Sequence, residues 1–165
     1  GVVVSDGLNV VKTDAQGNFL LKGHPRQRFI FVTTPSGYKI PTGHFHPITT
    51  DSISYDFALI PYEAGIDKQG NHKFVHISDT EIHNTVGNEQ WVENIRDYAA
   101  NERVSFIVHT GDICYAAGMK KHITLMNTNN MQVPVYYCIG NHDLVSGKYG
   151  EEMFENIYGL SLIHI

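Results

Sequence analysis

A small all-β sandwich followed by an α/β domain is the fold class that this 165-residue sequence predicts, and three observations predict it. Up to about Tyr62 the apolar residues come in short β-rich runs between turn signals, with no stretch that has the spacing of a long helix. From about His72 dense apolar runs of strand length alternate with amphipathic segments of helical period. Each of those later runs breaks off into a polar cluster: His76–His83 (HISDTEIH), His109–Tyr115 (HTGDICY) and Gly140–Asp143 (GNHD). A hydrophobic content of 42% suits a globular chain, and no run approaches the roughly 18 apolar residues that span a bilayer.

In the first unit, residues 1–62, the expected strands are Val2–Val4, Val10–Val11, Phe19–Leu21, Phe29–Val32 and Ser54–Ile60. Between the second and third, Thr13-Asp14, Gly17 and Phe19 make a hairpin with a local mechanism. The Asp14 carboxylate bonds back to the backbone, Gly17 supplies a positive φ, and Phe19 starts the returning strand inward. This segment resembles the carboxypeptidase-regulatory-like β-sandwich family, whose T-D-x-x-G-x-F/Y-x-L pattern closes a hairpin. The resemblance implies an accessory sandwich with a further strand before Gly1. Gly43–Pro47 (GHFHP) reads as a loop, with metal binding by His44 and His46 as the alternative, because no third ligand stands nearby in sequence. Residues 63–71, with Gly65, Gly70 and several charges, read as a linker.

The second unit spans residues 72–159. Its expected strands are Phe74–Ile77, Val104–Val108 and Val133–Ile139, suited to a sheet covered on both faces. Between the first two, Trp91, Val92, Ile95, Tyr98 and Ala99 line one face of a helix over Glu89–Asn101, and Met119, Ile123 and Met126 repeat the spacing before the third strand. The order β-α-β-α-β implies parallel strands with right-handed crossovers, so all three strands end on one edge of the sheet. Asp79, Asp112 and Asn141, 33 and 29 residues apart, are thereby brought together. His76 and His109 lie within strands and read as core residues or as support behind the polar tips. Cys114 and Cys138 read as small core groups, with a disulfide as the alternative if their strands are neighbours, and two cysteines leave the redox compartment open.

Carboxylate and amide oxygens with imidazole nitrogens suit a pair of divalent cations. The order D-x-H, G-D-x-x, G-N-H-D/E of the calcineurin-like metallophosphoesterase superfamily is similar to Asp79, Gly111-Asp112 and Gly140-Asn141-His142-Asp143 here, with Glu81 in place of the first histidine. The resemblance implies an incomplete α/β/β/α phosphoesterase sandwich holding two divalent or mixed-valence ions such as Mn, Fe or Zn. It makes Asp112 the bridging ligand, places Asp79 and Glu81 on the first metal with Tyr115 as a further ligand, and puts Asn141 on the second. His142 would face the substrate phosphate or the leaving oxygen, Asp143 would orient its ring, and a metal-activated hydroxide would attack the phosphate ester. Alternatives stay open: His83 in place of Glu81, Tyr115 as a packed aromatic, and Asp79 and Asp112 as loop caps. G-D-x-x-Y through Tyr115 also resembles the purple acid phosphatase branch, where the tyrosine binds ferric iron.

The later histidine and the G-H-x-H motif of that superfamily have no counterpart before Gly159, so the chain is expected to be the N-terminal part of a longer enzyme and to turn over poorly alone. Leu160–Ile165 (LSLIHI) is what the transposon end CTGTCTCTTATACACATC encodes in frame; these residues are expected to be a sequencing-library artefact, a short terminal strand being the alternative. Residues 1–62 carry a net charge of +1 and residues 63–165 one of −6. An acidic motif half disfavours a nucleic-acid backbone and favours small phosphate esters. A bacterial extracytoplasmic setting follows only by analogy with where such sandwiches occur, and the opposing functional reading is a binding or adhesion protein that keeps the motifs without activity.

Overall fold

The structure, a computed structural model, describes residues 1–50, 53–82, 88–145 and 147–159. In the N-terminal half, β1 (Val3–Ser5), β2 (Val10–Lys12), β3 (Phe29–Val32) and β5 (Phe45–Pro47) form an antiparallel sheet in the order β2-β1-β3-β5. A second, two-stranded sheet pairs β4 (Tyr38–Lys39) with β6 (Ile60–Pro61). Val4, Ile30, Val32 and Ile40 form the buried centre, with Phe19, Leu21, Phe57 and Leu59 packed against it.

Two expected strands are not ladder strands. Phe19–Leu21 and most of Ser54–Ile60 pack through their side chains, Phe19 against Phe57 with ring centroids 6.3 Å apart, while only Ile60 joins a sheet. Apolar patterning reports which side chains are buried, not whether the backbone pairs. Conversely, the Gly43–Pro47 loop is in its second half a strand: Phe45–Pro47 pairs with β3, and Pro47 is accommodated because β5 is the sheet's edge. The His46 ring meets the Asp56 carbonyl at 2.9 Å, and His44 lies edge-on to Phe45, so the two histidines face different partners.

The Asp14 turn forms as its residues dictate: Asp14 Oδ1 accepts from the N–H groups of Gln16 (2.9 Å) and Asn18 (2.8 Å), and Gly17 has φ +88°. The same D-x-Q-G-N pattern recurs at Asp67, which accepts from Gln69 and Asn71 N–H, both at 2.8 Å, with Gly70 at φ +85°. Residues 63–71 are therefore an ordered turn. It is docked on the C-terminal half, where a Cβ on Gly65 would fall 1.6 Å from the Arg103 carbonyl oxygen.

In the C-terminal half, β7 (Phe74–Ile77), β8 (Phe106–His109) and β9 (Val135–Tyr137) form a parallel sheet in that order, in register from Phe74↔Phe106 to Ile77↔His109 and from Ile107↔Val135 to His109↔Tyr137. Helix α1 (Glu89–Asn101) connects β7 to β8, and α2 (Ala116–Leu125) and α3 (Thr128–Met131) connect β8 to β9. α4 (Glu152–Tyr158) follows. Val92 and Ala99 of α1 are buried, and Trp91 and Ile95 pack beside them, but Tyr98, assigned to the same face, is 56% exposed at the edge of the stripe. One sheet face, with Ile107, Val135 and Tyr137, packs into the main core. The other carries Phe74 stacked on Phe106 at 5.2 Å and Phe106 edge-on to Tyr136; Phe74 is exposed, so among the described residues this face is only partly covered. The halves meet through Arg28, which bonds Glu155 at 2.7 Å and lies over the Tyr149 ring. Among the described residues no helix is long and apolar enough to cross a membrane.

Candidate metal centre

The three polar loops leave the same edge of the parallel sheet and are tied to one another by backbone. After β7 the chain runs beside the segment after β8: Asp79 N–H donates to Gly111 O (3.1 Å), Glu81 N–H to Asp112 O (3.4 Å) and Ile82 N–H to Ile113 O (3.1 Å). After β9, Gly140 lies against the second loop so closely that a Cβ on it would fall 2.1 Å from Asp112 N and 2.3 Å from Asp112 Oδ1. Only glycine fits there. Asp112 Oδ1 in turn accepts the His142 backbone N–H at 2.9 Å, at the 3-10 turn Asn141–Asp143.

Five described non-glycine residues have positive φ, and three of them are predicted ligands: Asp79 (+53°), Glu81 (+41°) and Asp112 (+49°). Left-handed backbone costs an L-residue about 1–2 kcal/mol, so its concentration at these tips marks loops held by their surroundings. Asp79 and Asn141 are exposed and Asp112 is half-buried, which leaves one amide and two carboxylates accessible at the sheet edge.

Glu81 is brought to the third loop. Its Oε1 lies 3.1 Å from His142 Nδ1, and the Tyr115 hydroxyl lies 3.3 Å from the same nitrogen with the two rings stacked at 5.2 Å. The expectation that Asp143 orients the His142 ring is corrected here. Asp143 is fully buried, and its carboxylate accepts the N–H groups of Ile113 (2.9 Å), Cys114 (3.1 Å) and Gly140 (2.8 Å). Burial raises its pKa against the lowering effect of those hydrogen bonds. Asp143 thus ties the second loop to the third, while Glu81 and Tyr115 contact the imidazole. His83, the alternative to Glu81, lies outside the described residues, as do Leu160–Ile165.

Behind the loops lies His109, fully buried, with its pKa lowered to about 4 by burial, which outweighs the nearby Asp79 and Asp112 carboxylates. Its Nδ1 faces Gly111 N–H (3.4 Å) and its Nε2 faces Thr80 Oγ1 (2.9 Å), and the Thr80 hydroxyl donates to Ile113 O (2.8 Å). These partners assign the neutral tautomer protonated on Nε2. His76, expected in the core or as support behind the polar tips, is exposed and meets Thr110 Oγ1 at 2.7 Å. Thr80 is the residue that sequence reasoning missed; its only signal was its place between Asp79 and Glu81. Cys114 and Cys138 are free thiols, and burial pushes Cys114 up to about 12, far from a reactive thiolate.

Among the described residues no group of three or more His, Cys, Asp or Glu side chains stands ready to hold a metal ion. What the loop tips offer in kind are hard oxygen donors, two carboxylates and an amide, beside a glycine cradle that a Cβ would fill, and this donor set fits a divalent cation. A cavity of about 520 Å³ lies elsewhere, between the N-terminal sheet at Phe31, Ile40 and Phe45 and the β9 region at Pro134, Tyr137 and Tyr158.

Comparison with known proteins agrees with this architecture. The family described as Calcineurin-like phosphoesterase matches residues 72–164, and that described as N terminal of Calcineurin-like phosphoesterase matches residues 1–60. No curated protein matches. The family generally uses divalent metals. With the match covering more than half of its length and all three strand-tip motifs within it, the chain belongs to the calcineurin-like phosphoesterase family.

Proposed function

We propose that this chain contributes the Asp79, Asp112 and Asn141 side of a two-metal site that hydrolyses a phosphate ester. The observation that carries the reading is the convergence of three successive parallel strand tips, with Gly140 against Asp112 and the His142 N–H on the Asp112 carboxylate. In this reading Asp112, in the loop after the central strand, would hold both ions, Asp79 would serve the first and Asn141 the second. Divalent ions bound there would supply charge stabilisation at the phosphoryl oxygens and a nucleophile at neutral pH.

The protein's own groups orient the substrate and manage the leaving group. With Glu81 and Tyr115 on Nδ1, His142 has Nε2 left to meet the phosphate or to protonate the leaving oxygen. Glu81 is then a partner of that imidazole, held on the same loop as Asp79. Residues 1–62 act as an accessory unit, joined through residues 63–71.

The test is hydrolysis of p-nitrophenyl phosphate in the presence of Mn²⁺, Zn²⁺ or Fe²⁺, by this chain and by any longer natural protein that contains it, with the Asp112→Ala variant alongside. The family's later metal-binding histidines have no counterpart in residues 1–159, so turnover is expected where a longer protein supplies them and little in this chain alone. Metal-dependent release of nitrophenol that disappears in Asp112→Ala supports the reading. A longer protein with no metal-dependent activity on mono- or diesters favours the binding-protein alternative.

A further inference from the structure

We propose that Thr80 and His109 are positioning residues that fix the placement of Asp79 relative to Asp112. The proposal deepens the metal-site reading above and rests on it. Neither side chain reaches the loop surface as a ligand; together they form a link behind it. The Gly111 N–H faces His109 Nδ1, the His109 Nε2–H donates to Thr80 Oγ1 at 2.9 Å, and the Thr80 hydroxyl donates to the Ile113 carbonyl at 2.8 Å. One end of this chain of bonds precedes Asp112 and the other follows it, and the middle is the residue between Asp79 and Glu81.

Why the link is needed follows from the backbone around it. Asp79 and Glu81, on either side of Thr80, both hold left-handed backbone, and so does Asp112. The backbone bonds between the two segments are 3.1 and 3.4 Å long at Asp79 and Glu81, longer than the two bonds made by the Thr80 hydroxyl. Thr80 therefore connects the two segments through its side chain between two residues of left-handed backbone. Its hydroxyl is both acceptor and donor, so a methyl in its place leaves the fully buried His109 Nε2–H and the Ile113 carbonyl without this partner. The loop then relieves its strain by returning toward ordinary backbone, which carries Asp79 away from Asp112.

The experiment is Mn²⁺ titration of the chain followed by the loss of the free-ion EPR signal, with thermal unfolding of each metal-free variant to establish the folded fraction. Thr80→Val, which keeps the shape, is expected to weaken Mn²⁺ binding by about tenfold or more, as loss of support behind metal ligands does. Thr80→Ser, which keeps the hydroxyl, is expected to stay within about threefold of the parent. Parent-like affinity for Thr80→Val, or an equal loss in Thr80→Ser, overturns the positioning role. So does a Thr80→Val variant whose melting temperature falls while its affinity per folded molecule is unchanged.

If Thr80→Val does not fold, His109→Gln carries the test, because its amide N–H keeps a donor toward Thr80. Affinity within about threefold of the parent supports the link, and a loss of about tenfold with the donor kept overturns it. Asp112→Ala separates the two levels. Loss of binding there with Thr80→Val unaffected sinks the positioning role alone, whereas no Mn²⁺ binding by the parent chain sinks the metal site and the positioning role together.

Discussion

The His142 backbone N–H donates to Asp112 Oδ1 across 2.9 Å, so the loop after β9 hangs on the carboxylate at the tip of β8. This side chain fixes the start of the 3-10 turn that presents Asn141 and His142, and in the proposed reading its remaining oxygen capacity would serve a cation. Asp112→Asn separates these roles, since an amide still accepts the N–H and asparagine tolerates left-handed backbone. Phosphate-ester hydrolysis by the longer protein is expected to fall by at least about 100-fold, while stability changes by only about 1 kcal/mol. Steady-state kinetics and denaturant unfolding check the two halves.

Gly140→Ala is expected to disrupt the site without replacing a ligand. The added Cβ would meet Asp112 N at 2.1 Å and Asp112 Oδ1 at 2.3 Å, in a segment whose backbone is itself held by Asp79 and Asp143. The variant should lose about 1–3 kcal/mol of stability together with its metal affinity. Urea unfolding and Mn²⁺ titration report on each.

Asp143→Ala leaves three N–H donors, on buried Ile113 and Cys114 and on half-buried Gly140, without their acceptor. A cost on the order of 3 kcal/mol is expected, with Asp143→Asn milder because its Oδ1 still accepts. A variant as stable as the parent would show that water replaces the carboxylate.

Stability of the metal-free chain is expected to fall on acidification in a defined window. Burial lowers His109 to about 4 and His122 to about 3, both below the unfolded value of 6.5. Each is neutral in the folded state, so between the two values the unfolded chain binds more protons, and the stability present above pH 6.5 is lost as pH falls toward 4. The slope is on the order of 1 kcal/mol per pH unit for each ring. His122→Leu, which also removes a buried Nε2 that has no partner among the described residues, should flatten this slope by about half. Denaturant midpoints across the window measure it.

Tyr115 separates the two enzyme branches. Its hydroxyl meets His142 Nδ1 at 3.3 Å and its ring stacks on the imidazole, which makes it a partner of the histidine. Tyr115→Phe is expected to reduce kcat several-fold with Mn²⁺ affinity unchanged, and iron loading is expected to give no visible tyrosinate-to-ferric band. A purple colour lost in Tyr115→Phe would assign the chain to the purple acid phosphatase branch.

Much of this arrangement was legible in the sequence, for identifiable reasons. The helix at Glu89–Asn101 and the strand at Phe74–Ile77 have the bounds that their periodicity implies, because both are decided by which side chains enter one core. The convergence of Asp79 and Asp112 follows from strand-helix-strand connectivity alone. What was not legible depends on side-chain direction. Asp143 and Glu81 are both carboxylates near His142, and only folded geometry shows that the first turns down to backbone N–H groups and the second reaches the ring. Thr80 carries no pattern at all, and its role comes from a partner 29 residues away. Phe45–Pro47 was obscured by glycine and proline, which signal a loop in isolation but are tolerated at a sheet edge.

The central claim is that three strand tips hold divalent cations through Asp79, Asp112 and Asn141. Diffraction from crystals grown with Mn²⁺, collected for the metal's anomalous signal, tests it most directly. The account predicts peaks bonded to the Asp79 and Asp112 carboxylates and the Asn141 amide oxygen at about 2.0–2.2 Å. Manganese bound only at other positions, with these three side chains unligated, would contradict it.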